Sequence, residues 1–144
     1  MQNHMIPNTS EEAIEVARQD IEKKYGITFP TVENGFACGE FPLSDLRRNF
    51  YGIPYGGMMF HLADITSGMA FLSAGGNGIT VSGNVNYLRG ASPEADKLVC
   101  HASVKKAGRN LFFLSAEVMD NFGTVLSEYS FVFTNLSKTK EKDQ

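Results

Sequence analysis

The sequence predicts an α+β protein in which one antiparallel sheet of five or six strands wraps around a long, buried helix. Two patterns support this prediction. Residues 57–74 have the length of a helix and are apolar nearly all round, which is typical of a buried helix. Residues 79–134 form strand after strand, with polar and apolar side chains alternating. A single apolar helix needs a sheet curled around it to cover its surface.

The N-terminal part predicts a surface helix and one strand. Residues 10–24 carry apolar side chains at helical spacing, and Gly26 marks the end of that helix. Residues 34–43 predict the first strand, which ends near Pro42. The irregular stretch 44–55 then leads into the long apolar helix.

Four strands are predicted after that helix, and their order along the chain predicts an antiparallel meander. They cover residues 79–87, 98–105, 111–119 and 124–134, and turn residues separate the last three. The expected organisation is a helical segment 1–30, a main domain 31–137 and a frayed tail 138–144. The edges and outer surface of such a sheet favour homo-oligomerisation.

Composition excludes several classes of function. Thirteen basic and sixteen acidic residues give a formal net charge of −3 without a basic cluster, so nucleic acid is not an expected partner. Two cysteines are too few for a disulfide framework, and no export signal or bilayer-length apolar run is present, so we expect a cytoplasmic protein away from membranes. No residue cluster predicts a metal site, and no motif predicts a cofactor.

Asp64 is the most informative single residue. It lies among apolar helix residues, so we expect it to be largely dehydrated. A carboxylate in that setting needs a partner or a task, which leaves two interpretations: an acid–base residue, or an aspartate satisfied by Ser or Thr hydroxyls. His61 lies three residues earlier on the same helical side, where a satisfied buried histidine is more common than a catalytic one.

Gly56 and Gly57 open the same helix. The first amides of a helix have no intrahelical acceptor and favour negative charge, and glycine lets a ligand approach the backbone. They therefore predict a site for a carbonyl that gains oxyanion character, with a tight turn as the alternative. Asp64 lies on the order of 10 Å further along the axis. A carbonyl held at the helix start therefore needs a carboxylate from a second subunit.

Three motifs together resemble the phenylacetate-pathway type of hot-dog-fold thioesterase. They are Asn49-Phe-Tyr-Gly52-Ile-Pro-Tyr55-Gly56-Gly57, then Leu62-Ala63-Asp64, then Asn86-Tyr87-Leu88-Arg89. The family pattern reads Asn-x-x-Gly-x-x-His-Gly-Gly, then Leu-Ala-Asp, then a strand ending Asn-Tyr-Leu-Arg. The similarity covers residues 41–133, most of the chain.

The resemblance implies a hot-dog fold, a homodimer or dimer of dimers, and hydrolysis of an acyl-CoA at the dimer interface. Coenzyme A then belongs to the substrate, and no separate cofactor is needed. The Gly56 amide would bind the thioester oxygen, Asn49 would orient water or thioester, and Asp64 of the partner subunit would act as base or nucleophile. Ser82 matches a position where some members carry an assisting hydroxyl. Tyr55 replaces the family histidine, so substrate contacts are expected to differ.

The predicted substrate contacts are Tyr55, Gly57, His61, Arg89 and Arg109. The two arginines are expected near the phosphates of coenzyme A, with ordinary solvated charges as the alternative for each. Met58 and Phe60 near the helix start are compatible with an aryl or a medium-length alkyl acyl group.

Three other functions compete with hydrolysis. Hydratases and dehydratases of this fold pair a loop histidine with a helix acid, and the loop 49–55 contains no histidine. A non-catalytic acyl-CoA-binding module is the alternative to the enzyme, and Tyr55 is its best argument. A structural oligomer ranks behind both, because it gives Asp64 no purpose. Release of free thiol from acyl-CoAs separates these functions.

Overall fold

The computed structural model describes residues 10–136 of the chain. Its elements in order are α1 Ser10–Tyr25, β1 Thr28–Glu33, β2 Phe36–Pro42, a 3-10 turn Asp45–Arg47, α2 Gly56–Ser73, β3 Gly78–Tyr87, β4 Lys97–Ala107, β5 Leu111–Asp120 and β6 Val125–Asn135. The predicted helices 10–24 and 57–74 are therefore confirmed. The predicted boundary between residues 30 and 31 falls inside β1, and the predicted tail 138–144 lies outside the described residues.

All six strands form one antiparallel sheet, in the order β1-β2-β4-β5-β6-β3. Helix α2 lies against the inner face of this sheet and contacts every strand. A long helix wrapped by a single antiparallel sheet is the hot-dog fold, as predicted.

The strand order corrects the predicted four-strand meander. Strands β4, β5 and β6 are neighbours, but β3 pairs with β6, and β2 takes the place beside β4. The connection 88–96 between β3 and β4 is longer than the roughly two to five residues of a tight hairpin. It therefore lets β3 lie at the far edge of the sheet, where one side of its backbone has no neighbouring strand.

Strands β1 and β2 form a hairpin where the sequence analysis places a single strand at 34–43. Asn34 and Gly35 form the turn, with φ angles of 50° and 80°. Two successive positive φ values are what a two-residue type I′ hairpin turn requires, and Asn-Gly is its preferred sequence. The single-strand prediction is therefore wrong at its start, because residue 34 turns the chain instead of extending it.

The core fills the space between α2 and the sheet. Phe71 of α2 is fully buried and packs edge-to-face on Phe112, with ring centroids 4.9 Å apart. Ile14, Ala17 and Ile21 of α1 pack against the same core, as their helical spacing predicts. Burying one large apolar side chain contributes roughly 1.5–3 kcal/mol. This packing fixes α2 against the sheet and so fixes its first turn and Asp64.

One side of α2 is not covered by the sheet. Its fully buried residues are Met59, Leu62, Ala63, Thr66, Ser67, Met69, Ala70 and Phe71. Gly57 is exposed, whereas Phe60, Asp64 and Gly68 are half-buried. The predicted burial nearly all round is wrong for this side, because the curl of a single sheet covers only part of the helix.

Candidate active site

The open side of α2 and strand β3 form a groove, called the α2/β3 groove below. Three pairs of residues meet across it, and they are Gly56 with Tyr87, Phe60 with Gly83, and Asp64 with Thr80. Strand β3 runs opposite to the helix, so the start of α2 faces the end of β3. Gly56 therefore lies at one end of this line of contacts and Asp64 at the other, whereas Gly57 lines a second cavity together with His61.

Asp64 accepts a short hydrogen bond in this groove. The Thr80 hydroxyl Oγ1 donates to Oδ1 of Asp64 at 2.7 Å. No residue between 10 and 136 hydrogen-bonds the second carboxylate oxygen, Oδ2. The carboxylate opens onto a cavity of about 450 Å³, lined mostly by apolar side chains such as Ile65 and Phe133. It is half-buried and not largely dehydrated as predicted, because it lies on the side of α2 that the sheet leaves open.

A β-bulge in β3 decides which hydroxyl reaches the carboxylate. The register shifts there, so that Thr80 lies opposite Phe133 while Ser82 lies opposite Val132. Phe133 is buried against the helix, and its neighbour Val132 lies on the other face of β6. Thr80 therefore points towards α2, and Ser82 points away from it. Unbroken alternation would place both hydroxyls on one face, but one extra residue reverses the phase.

Thr80 is the partner of Asp64, and the sequence predicts only that a Ser or Thr hydroxyl could satisfy that aspartate, without indicating which one. Period-two alternation treats Thr80 as an outward polar residue, in the same class as Ser82. Glycine inside a strand often marks a bulge or a close approach of another group. Gly83 is therefore the residue inside this strand that could have indicated the bulge from the sequence. A Cβ at Gly83 would lie 2.8 Å from the Phe131 ring and 3.0 Å from the Phe60 ring.

Gly56 and Gly57 begin α2 as predicted, but they differ in what surrounds them. A Cβ at Gly56 would lie 3.0 Å from the Tyr87 ring, whereas a Cβ at Gly57 would meet nothing within 4 Å. Neither amide finds a hydrogen-bond acceptor in the described part of the chain, as expected for a first helical turn. Both N–H groups are therefore available to an oxygen atom from outside the chain. Tyr55 precedes them as an exposed N-cap residue without a side-chain cap bond.

Asn49 organises the loop that leads into α2. Its Oδ1 accepts hydrogen bonds from the backbone N–H groups of Tyr51 at 3.0 Å and Ile53 at 3.3 Å. Arg48 fixes the same loop by donating to the carbonyls of Gly52 and Ala95. The side-chain oxygen of Asn49 is thus used in the fold, and only its amide nitrogen is left for the predicted contact with water or thioester.

His61 lies in a second cavity near the start of α2. Its ring meets the Tyr25 ring edge-to-face, with centroids 4.7 Å apart, and Arg47 lines the same cavity. Burial lowers the pKa of His61, Asp64 partly offsets this, and the charge of Arg47 lowers it further. The neutral imidazole is therefore favoured, and the interpretation of His61 as a satisfied buried histidine stays a prediction.

The structure does not bring Arg89 and Arg109 together. Arg89 follows the end of β3, whereas Arg109 lies in the β4–β5 turn, beside the residues that pair with the start of β3. The ten residues of β3 span about 30 Å, so these two exposed arginines belong to opposite ends of one subunit. One phosphate group therefore cannot contact both arginines within a subunit.

Other chemistry is sparse in residues 10–136. No group of three or more His, Cys, Asp or Glu side chains there could hold a metal ion. Within that range, no helix is both long enough and apolar enough to cross a membrane. Cys38 is half-buried and Cys100 buried, both are free thiols, and burial raises the pKa of each.

The fold and the groove define a hot-dog-fold protein with a helix carboxylate beside an open sheet edge. The family model of the thioesterase superfamily matches residues 51–127, just over half of the chain. This chain belongs to the thioesterase superfamily. No curated protein matches it.

Solved structures extend the similarity beyond the matched region. A conserved protein of Pseudomonas aeruginosa is 27% identical, with a TM-score of 0.73 over 80% of this chain and 92% of that one. The PaaI protein from the phenylacetic acid degradation operon of Escherichia coli is 19% identical, with a TM-score of 0.77 over 87% and 97%. A hypothetical thioesterase of Streptococcus pneumoniae, solved with coenzyme A, is 19% identical, with a TM-score of 0.73 over 85% and 94%.

Proposed function

We propose that this protein is a cytoplasmic acyl-CoA thioesterase that hydrolyses an aryl- or medium-chain acyl-CoA at a site shared between two subunits. The observation that carries the proposal is the Asp64–Thr80 hydrogen bond in a groove that begins at two unpaired helix amides. Membership of the thioesterase superfamily supports thioester chemistry. The coenzyme A in the Streptococcus pneumoniae structure supports the substrate class.

The residues fit the requirements of thioester hydrolysis. Asp64 takes a proton from water while the water oxygen bonds to the carbonyl carbon, and Thr80 holds the carboxylate in place. The amides of Gly56 and Gly57 stabilise the oxyanion. The C–S bond then breaks, and the proton passes from Asp64 to the departing thiolate. If Asp64 is instead the nucleophile, its carboxylate displaces the thiolate and forms a mixed anhydride, and attack of ¹⁸O-water on the Asp64 carboxyl carbon then leaves label in that residue.

The proposed site needs two subunits. The helix amides and Asp64 are on the order of 10 Å apart along one helix, too far for both to act on one carbonyl. Strand β3 offers an unpaired edge with exposed apolar side chains, among them Ile79 at 59% and Val81 at 53% exposure. Two such edges joined about a twofold axis bring the helix start of one subunit towards Asp64 of the partner subunit. Two of these dimers would make the predicted homotetramer.

A spacing in a relative supports the choice of Thr80. Two further structures of the Streptococcus pneumoniae protein carry alanine in place of an aspartate and of a threonine. Those two positions lie 16 residues apart, as Asp64 and Thr80 do. The same role for Ser82 stays a prediction.

The decisive experiment measures free thiol release from phenylacetyl-CoA, benzoyl-CoA and straight-chain acyl-CoAs from acetyl to dodecanoyl. We expect Asp64→Asn to keep the fold and to lower kcat/KM by about 10²–10⁴-fold, or roughly 3–5 kcal/mol of barrier. Thr80→Val should lower kcat more than Ser82→Ala, with Thr134→Val on the outer face as the matched control. Parental turnover in Asp64→Asn would show that the mechanism is wrong.

A non-catalytic acyl-CoA-binding module is the second candidate. Tyr55, exposed where the family pattern has histidine, is the observation that favours it. Calorimetry on the same acyl-CoAs separates the two candidates. Binding without thiol release, in both the parent and Asp64→Asn, would replace the enzyme with the binding module.

A further inference from the structure

Tyr87 fixes the first peptide of α2 from across the groove. Its hydroxyl donates a hydrogen bond to the carbonyl oxygen of Gly56 at 2.9 Å. Its ring occupies the space beside Gly56, where a Cβ would lie 3.0 Å from Cζ and 3.2 Å from Cε1. The end of β3 is thereby attached to the helix N-terminus by both a polar and a packing contact.

The bonded carbonyl belongs to the peptide group that joins Gly56 to Gly57. The N–H at the other end of that group is the Gly57 amide, which has no acceptor among residues 10–136, and Gly57 lines the cavity that contains His61. A peptide group is planar, so fixing its carbonyl also fixes the direction of its N–H. A hydrogen bond accepted by the carbonyl polarises the group and strengthens that N–H as a donor. Two successive glycines have wide backbone freedom, and the hydrogen bond from Tyr87 reduces that freedom at the peptide group between them.

We propose that Tyr87 is a positioning residue that orients and polarises the Gly57 amide for the oxyanion of a bound acyl thioester. The inference rests on the proposed thioesterase function and deepens it. Burial raises the pKa of Tyr87, so its hydroxyl stays protonated and able to donate at neutral pH. Gly56 has a matching role, since a Cβ there would lie 3.0 Å from the Tyr87 ring and would displace it by a few tenths of an ångström.

The kinetic test compares Tyr87→Phe with the parent on phenylacetyl-CoA and hexanoyl-CoA. Removing an oxyanion donor outright costs about 10²–10³-fold in kcat, so misplacing one should cost about 10-fold, with KM nearly unchanged. Tyr129→Phe is the matched control. It deletes a hydroxyl bonded to Ser127 at 2.7 Å in the core, so it should keep parental kcat even if it unfolds at a lower temperature.

A spectroscopic test reports the hydrogen bond to the thioester directly. The carbonyl stretch of bound ¹³C-carbonyl phenylacetyl-CoA is measured by infrared difference spectroscopy in Asp64→Asn, with and without Tyr87→Phe. We expect a shift to lower frequency on binding, and a smaller shift when Tyr87→Phe is added. Equal shifts together with parental kcat in the single variant would overturn the role of Tyr87.

The two proposals fail in different ways. A parent that binds phenylacetyl-CoA without turnover contradicts the thioesterase, and the carbonyl frequency then still decides on Tyr87. A parent that turns over normally with Tyr87→Phe at parental kcat contradicts the role of Tyr87 alone. A parent that binds no acyl-CoA contradicts both.

Discussion

Two titratable residues one helical turn apart have different surroundings. Asp64 lies in the α2/β3 groove and is held by Thr80, whereas His61 lies in a second cavity against Tyr25. Their spacing in the sequence allows a catalytic His–Asp pair, but the two side chains line different cavities, although the charge of Asp64 still raises the pKa of His61. The carboxylate is therefore hydrogen-bonded to a hydroxyl and not to the imidazole.

His61 gives a prediction for the dependence of stability on pH. Its pKa in the fold is lowered, chiefly by burial, from an ordinary value of 6.5. The unfolded chain therefore takes up a proton at a higher pH than the folded chain. Stability is fully present above the ordinary pKa and falls as the pH drops through it towards the lowered pKa. We expect Tm to fall between about pH 7.5 and about pH 5.5, and to fall less in His61→Gln.

The control for this measurement is His101→Gln. His101 lies on the exposed face of β4, so its replacement should leave the slope of Tm against pH as in the parent. If His61→Gln keeps the full parental slope, another group is responsible for it.

At the scale of elements, three local devices shape the sheet around the site. The Asn34-Gly35 turn folds β1 back on β2, the long connection 88–96 sends β3 to the far edge, and the bulge turns Thr80 inward. Each is a departure from regular strand geometry, and two of them act directly on β3. The strand that carries Thr80 and Tyr87 is therefore also one of the two edge strands of the sheet.

The hairpin turn gives a prediction for stability. Gly35 has a φ of +80°, and a Cβ there would also lie 3.4 Å from Val104. Gly35→Ala should lower the free energy of unfolding by about 1 kcal/mol or more, because an L-residue is strained at that angle. Urea denaturation checks this.

Gly68→Ala makes a matched comparison of opposite sign. Gly68 lies inside α2, and a Cβ there makes only an ordinary contact, 3.7 Å from Phe133. The change should therefore stabilise the protein by about 0.5–1 kcal/mol. Equal effects of the two substitutions would contradict the turn assignment.

At the scale of the whole molecule, several exposed apolar side chains lie in the loop before α2 and along β3. Phe50 and Tyr51 contact each other in the loop before α2, with ring centroids 4.0 Å apart, and 88% and 70% of their surfaces are exposed. Ile79 and Val81 are exposed along β3. Apolar groups gathered in this way favour contact with another surface, which agrees with the proposed second subunit.

A complementation experiment tests the shared site. Asp64→Asn removes the carboxylate, and Gly57→Pro removes an amide that has no partner in the fold, at a first-turn position that tolerates proline. A mixed dimer has one site with an intact carboxylate and an intact helix start. Unfolding and refolding the two inactive proteins together should restore roughly a quarter of parental activity, since half of the dimers are mixed and each has one complete site.

The control is each variant refolded alone, which should remain inactive. Sedimentation at micromolar concentration should give at least the mass of a dimer. A monomer with full activity, or a mixture without recovery, would contradict a site built from two subunits.

The sequence by itself determined the helix α2, the positions of Asp64 and of the glycine pair, and most strand segments. These depend on apolar periodicity and turn residues, which act over a few neighbouring positions. The Asn-Gly turn was also present in the sequence, but it lay inside a segment that was taken as one strand.

Only the tertiary structure decided three further features. The place of β3 beside β6 depends on contacts between segments far apart in the chain, which periodicity does not report. The bulge placed Thr80 and Ser82 on opposite faces of β3, because one unpaired residue reverses the alternation. The open side of α2 follows from how far a single sheet can curl, so an aspartate expected inside a closed core is only half-buried.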